Sequence, residues 1–142
     1  MSFEVFDYID KKKAGMVIVC NGIAKGLESQ AKANAKWKDT SDDGKVKNTA
    51  NARQGITSGV TSSNGNYSIY LAHGVDYGAI LEEGSKPHVI TPKNGKALYW
   101  KGATHPVKKV NHPGTKGFHT FEKTLEQNKE AIISKIIEYW SD

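Results

Sequence analysis

The chain has a single cysteine, Cys20, and a single arginine, Arg53, among its 142 residues. One cysteine excludes an intramolecular disulfide and fits a reducing compartment. Scarce arginine weighs against sequence-specific DNA recognition, because base reading and bidentate phosphate clamps favour the guanidinium fork. No apolar run approaches the roughly 20 residues that cross a bilayer. Met1-Ser2-Phe3-Glu4 offers no basic n-region with an apolar run behind it, so a signal peptide is not expected. The chemistry-bearing motifs are missing as well. There is no GxxxxGK[ST] phosphate loop, no GxSxG nucleophile elbow, no CxxC and no HExxH. No internal repeat or low-complexity tail is present. Composition and length imply one soluble domain, 1–142, of ordinary charge content with a net charge of +5. The excess lysine reads first as a solvated surface and second as loose phosphate attraction.

Residues 3–36 carry an apolar stripe at helical period: Phe6, Ile9, Met16, Cys20, Ile23, Leu27 and Ala31. Ser2 is the candidate N-cap, and Glu4 and Asp7 suit the positive end of the helix dipole. Met16-Val17-Ile18-Val19-Cys20, between Gly15 and Asn21-Gly22, also reads as a buried strand and turn. The stripe continues on both sides of the run, which favours the helix. Gly15, Gly22 and Gly26 then share a surface open to close approach by another backbone. A polar loop follows to about Thr49, with Trp37 at its start reading either as a lid on the core or as a partner anchor.

Asn64-Gly65 is a strong type I′ hairpin signal. It sets Ser58 opposite Leu71, Val60 opposite Ile69 and Ser62 opposite Tyr67. Asn94-Gly95 repeats the signal and pairs Val89-Ile90-Thr91 with Leu98-Tyr99-Trp100, Ile90 facing Tyr99. Pro92 puts that pair at a sheet edge. A short helix falls near 76–83, and Val107 to Val110 suits one more strand. Phe118 to Trp140 reads as an amphipathic helix capped by Thr120, with a core stripe of Phe121, Leu125, Ile132, Ile136 and Trp140, widened by Ile133 and Ile137. The expected class is α+β: a long N-terminal helix, a curved antiparallel sheet, a short helix, and a C-terminal helix packed on the sheet.

The candidate chemistry is thin. His73, His88, His105, His112 and His119 lack the short paired spacing of a zinc site. Glu82-Glu83 are adjacent on a helix and point about 100° apart, so one caps or pairs while the other faces solvent. Cys20 sits on a buried stripe as a small hydrophobe. No catalytic residue, metal or cofactor is assigned, and no enzymatic activity is expected.

Four segments resemble, in order, the phage tail-completion or head–tail joining family, small morphogenesis proteins of long-tailed phages. They are Ala33-Asn34-Ala35-Lys36-Trp37-Lys38-Asp39, Asn51-Ala52-Arg53-Gln54-Gly55-Ile56, His73 to Ser85 with Tyr77-Gly78 and Glu82-Glu83-Gly84 inside it, and His112-Pro113-Gly114-Thr115-Lys116-Gly117-Phe118. Asp39 to Asn48 is longer and more charged than the family's turn, and His119-Thr120 replaces its proline-containing stretch. The resemblance implies a non-enzymatic virion part at the head–tail neck, formed in the host cytoplasm. Its implied partners are the head-closure protein and the tail terminator or tube, with DNA passing through without sequence recognition and no membrane. It implies a homo-oligomeric ring in the virion, compatible with a monomer in isolation. The candidate interface or family-motif residues are Trp37, Asp39, Tyr77, Gly78, Glu82, Gly84, His112, Pro113, Gly114 and Phe118. Two readings of other classes stand beside it: a small basic nucleic-acid-binding module, and a metal-dependent hydrolase built from the histidines.

Overall fold

Thirty consecutive residues, Val5–Asn34, form one helix, α1, in a computed structural model that describes residues 4–39, 51–100 and 102–141. The Met16–Cys20 run is helical, because Met16, Cys20, Ile23, Ala24, Leu27 and Ala31 bury a single face. Glu4 takes the N-cap position without a side-chain bond, and Ser2 lies outside the described residues. Phe6, placed on the core stripe by its spacing, is instead 80% exposed. The reason is length. The hairpin reaches α1 where Tyr67 donates to the Lys13 carbonyl, and the C-terminal helix reaches it where Tyr139 donates to the Lys12 carbonyl. The first turns of α1 run on past both.

After the one-turn helix α2 (Asn51–Gln54), β1 (Ile56–Ser63) and β2 (Asn66–His73) pair as expected, with Ser58, Val60 and Ser62 opposite Leu71, Ile69 and Tyr67. Asn64 and Gly65 both hold positive φ, at 51° and 80°, as a type I′ turn requires. Tyr67, Ile69 and Leu71 turn one face to α1, while Asn66, Ser68 and Tyr70 point to solvent.

The second hairpin is different. Asn94 and Gly95 lack positive φ and form no I′ turn. Instead β3 (Gly84–Ser85) pairs with β6 (Thr115–Lys116), and β4 (His88–Ile90) with β5 (Val110–His112). Leu98 meets Val107 in an isolated bridge rather than lining up beside Val89–Thr91. The two short ladders share one register, and the break between them falls where Pro87 stands opposite Pro113. Neither proline has an N–H to donate, so the ladder skips that rung. The result is a two-stranded ribbon, separate from the β1–β2 hairpin, in place of one curved sheet. No described residue from 79 to 119 is buried.

The short helix α3 (Gly78–Glu83) leads into the ribbon, and α4 (Thr120–Ser141) follows it. The class is α+β, with α1 as the middle layer. The hairpin covers one side of α1, and α4 lies along another rather than across the sheet. The α1–α4 seam is largely polar: Asn34 donates to Thr124 and Gln127, and Asn128 to Gln30. The expected α4 core stripe is therefore covered only in part, with Phe121 packed against the core. Ile132 and Ile136 are half-buried, but Leu125, Ile133, Ile137 and Trp140 are exposed.

The three α1 glycines also separate. A β-carbon on Gly15 would overlap the Tyr139 hydroxyl, whereas one on Gly22 or Gly26 meets nothing within 4 Å. Among the described residues no backbone approaches at Gly22 or Gly26. Gly22→Ala and Gly26→Ala are therefore expected to raise stability by up to about 1 kcal/mol each in urea unfolding. Gly15→Ala should lower it by roughly 1–3 kcal/mol, the cost of overpacking against Tyr139.

Candidate functional site

The four segments that carry the resemblance fold against one another at the C-terminal end of α1. Their assembly starts with Arg53. Its guanidinium donates to the carbonyls of Lys32, of Ala35 (2.9 Å) and, weakly, of Trp37 (3.4 Å). Its Nε meets the Asp39 carboxylate at 3.0 Å. A helix C-terminus leaves carbonyls without partners and carries negative partial charge, so a planar cation with five donors fits there. Ala35 leaves the helix in extended backbone, and Trp37 turns back into the core.

Trp37 is buried with Ala31, Ala35, Ala52 and Ile56, and Phe118 meets it edge-on at 5.8 Å. Of the two readings of its position, lid on the core and partner anchor, this packing favours the lid. Asp39 is tied to Arg53. Gly78 is buried because a β-carbon there would overlap the His73 side chain. Gly84 and Gly114, at φ +83° and +87°, let the two ribbon strands come together beneath Thr115 and Ser85. His112 Nδ1 accepts from the Gly114 N–H, and Pro113 is exposed opposite Pro87. Phe118 N–H donates to the Leu81 carbonyl. Tyr77 is 40% exposed, so of the ten candidates it and Pro113 face solvent.

Glu82 has a structural task that local sequence does not reveal. Its carboxylate accepts from the N–H of Phe121 at 2.9 Å and of Glu122 at 3.2 Å, capping α4 from another element. Thr120, expected as the cap, is already helical and buried; His119, at φ +52°, makes the turn into the helix. Glu83 faces solvent. Beside Glu82, His73 stacks on Phe121 at 4.2 Å with its side chain 9% exposed. Its Nε2 stands 4.0 Å from Glu82 Oε2, beyond hydrogen-bond reach, and neither ring nitrogen has a protein partner. Burial pushes its pKa below the usual 6.5, with the Glu82 charge acting weakly the other way. Burial likewise raises the Cys20 thiol pKa.

The remaining histidines are dispersed. His88 and His112 stack across the ribbon at 4.9 Å, His105 bonds to Thr104, and His119 lies 3.3 Å from Glu122. Among the described residues no group of three or more His, Cys, Asp or Glu side chains is placed to hold a metal ion. Among them, too, no helix is long and apolar enough to cross a membrane.

What motif searching missed lies on the surface. Exposed on the ribbon and its tip are Val89, Ile90, Tyr99 (69%) and Trp100 (50%). Exposed on α4 are Leu125, Ile133, Ile137 (60%) and Trp140. One signal for the first group was open in the sequence: from Gly84 to Phe121 there is no acidic residue and there are seven lysines.

Two substitutions test the joint. Arg53→Ala is expected to cost about 2–4 kcal/mol by denaturant unfolding, because it leaves part-buried carbonyls and Asp39 unpaired, and Arg53→Lys should recover little. His73 acts through pH. Its folded pKa lies below its unfolded value, so its contribution is intact above about 6.5 and is lost as pH falls from there towards the folded pKa. His73→Phe, which keeps the stack, should flatten that part of a Tm-against-pH curve; an unchanged curve would mean that His73 is not the group responsible.

No protein-family model matches the chain, and neither the curated proteins nor the solved structures give a match.

Proposed function

We propose that this chain is a structural assembly protein at the head–tail neck of a phage or prophage particle, completing the tail and joining it to the head. The observation that carries the reading is the balance of apolar surface. Ten hydrophobic residues are buried among those described, four of them alanines, while fifteen large hydrophobics are exposed. Scattered exposed leucines need no explanation, but grouped aromatics and isoleucines on a ribbon and a helix face mark surfaces made for neighbours. The ordered resemblance of four segments supplies the place of assembly. Their mutual packing supports treating them as one unit, a rigid base from which the ribbon projects.

A second reading, a basic nucleic-acid-binding module, draws on the acid-free lysine segment with Tyr99 and Trp100 within it, since stacking aromatics in a cationic groove suit single strands. Deletion of the gene from the genome that encodes it separates the two. The assembly role predicts lysates with filled heads and detached tails by electron microscopy, and recovery of joined, infectious particles when purified protein is added. Normally joined particles without the protein would end the proposal.

A further inference from the structure

The charges of this chain are segregated. The Gly84–Phe121 segment holds seven lysines and no acid, which leaves thirteen basic and fifteen acidic residues elsewhere, a net of −2 against +7. The basic segment is the ribbon with its tip. It brings Val89, Ile90, Tyr99 and Trp100 to the surface beside Lys93, Lys96, Lys108 and Lys109, which are also exposed.

The outer face of α4 has the opposite character. Residues four apart on a helix form a ridge. Leu125, Lys129, Ile133 and Ile137 make one, and Glu122, Glu126 and Glu130 make the next, all exposed. A ridge that is apolar but for Lys129 thus runs beside an acidic one. Among the described residues nothing covers either the exposed ribbon side chains or this face.

We infer that the ribbon of one copy lies along the outer face of α4 of a second copy. Lysines of the ribbon meet the glutamate ridge, and one ribbon face, carrying either Val89 or Ile90 because neighbours in a strand point opposite ways, meets the apolar ridge together with Tyr99 and Trp100 of the tip. One contact then accounts for both bare surfaces. Phosphates would satisfy the lysines but leave the isoleucines of α4 uncovered, so a nucleic acid explains half of what a second copy explains. The two patches differ, so the contact is heterologous: each copy offers a ribbon to one neighbour and a helix to another. The inference rests on the neck reading for its setting, and on the charges and exposures alone for its geometry.

Complementary charge reversal tests it. One variant carries Lys93→Glu, Lys96→Glu, Lys108→Glu and Lys109→Glu; the other carries Glu126→Lys and Glu130→Lys. Circular dichroism and thermal melting confirm that each folds. Sedimentation velocity up to millimolar protein in low salt should show wild-type self-association that weakens as salt is raised. Each variant alone should associate at least roughly tenfold more weakly, because its own ribbon and helix now repel. The equimolar mixture should recover to near the wild-type level, because each variant's ribbon matches the other's helix. Wild type that stays monomeric throughout, variants that associate like wild type, or a mixture no better than its parts would each overturn the contact. Affinity for labelled single-stranded DNA, lost in the ribbon variant while self-association is unchanged, would hand the ribbon to nucleic acid instead. Particle joining reports separately: a ribbon variant that still joins heads to tails removes the contact and leaves the neck reading standing.

Discussion

Arg53 at the C-terminal end of α1 fixes the arrangement on which the other elements depend. Its guanidinium gathers the Lys32, Ala35 and Trp37 carbonyls and the Asp39 carboxylate. These groups come from a helix end and the segment leaving it, which would otherwise be free to separate. Held together, they send Trp37 inward, where it lies 6.0 Å from His73 and 5.8 Å from Phe118. His73 in turn stacks on Phe121 at the start of α4, whose first turn is held by Glu82. The direction in which α4 leaves this joint therefore traces back to a cation and four oxygen-bearing groups. A lysine has the charge but not the planar fork, and would satisfy fewer of them.

The middle position of α1 explains why so much apolar surface stays outside. A helix buries one stripe well, and here that stripe is shared. Cys20, Ala24 and Ala31 are nearly inaccessible, while Glu28 is held by Lys25, Lys32 and Ser58 Oγ, which lower its pKa to about 2 and tie α1 to β1. What remains for α4 is a seam rich in amides, which half-buries Ile132 and Ile136 and leaves Leu125, Ile133 and Ile137 beyond it. The ribbon has even less to pack on. It is held by its own ladder, by the β3–β6 pairing at its base and by the bonds from Phe118 and His119 to α3.

The β1–β2 hairpin was legible down to its register, because Asn64-Gly65 dictates local backbone and the alternation on either side agrees with it. The long helix was legible through its period, although Phe6 was not, since period does not reveal where the packing partner stops. Asn94-Gly95 misled because a turn signal forms a hairpin only where strands beside it gain from pairing; Val89–Ile90 pairs with Val110–Asn111 instead. The register shared by β3–β6 and β4–β5 could be sought in Pro87 and Pro113 only once the pairing was known. Glu82 as the cap of α4, and Arg53 as the clamp of α1, join residues distant in sequence, so no spacing rule exposes them. Trp37 stood between two readings because burial depends on what folds over it. The acid-free segment, by contrast, lay in plain view, but net charge averages it away.

Charge segregation also answers a difficulty raised by the exposed apolar surface. A face of isoleucines and a ribbon with tryptophan invite indiscriminate association. Glutamates beside the α4 ridge and lysines along the ribbon oppose like-to-like contact, ribbon on ribbon or helix on helix, because each would bring equal charges together out of water. Only the unlike pairing places opposite charges side by side while covering both apolar strips. In the proposed contact, the same residues that oppose the like pairings would thus select the unlike one. A heterologous contact needs such selection, because its two faces carry no symmetry that would correct an error. Under the proposed contact, the joint around Trp37 would have a mechanical consequence: it links the base of the ribbon to the start of α4, and the angle between them would set how a chain of such contacts curves.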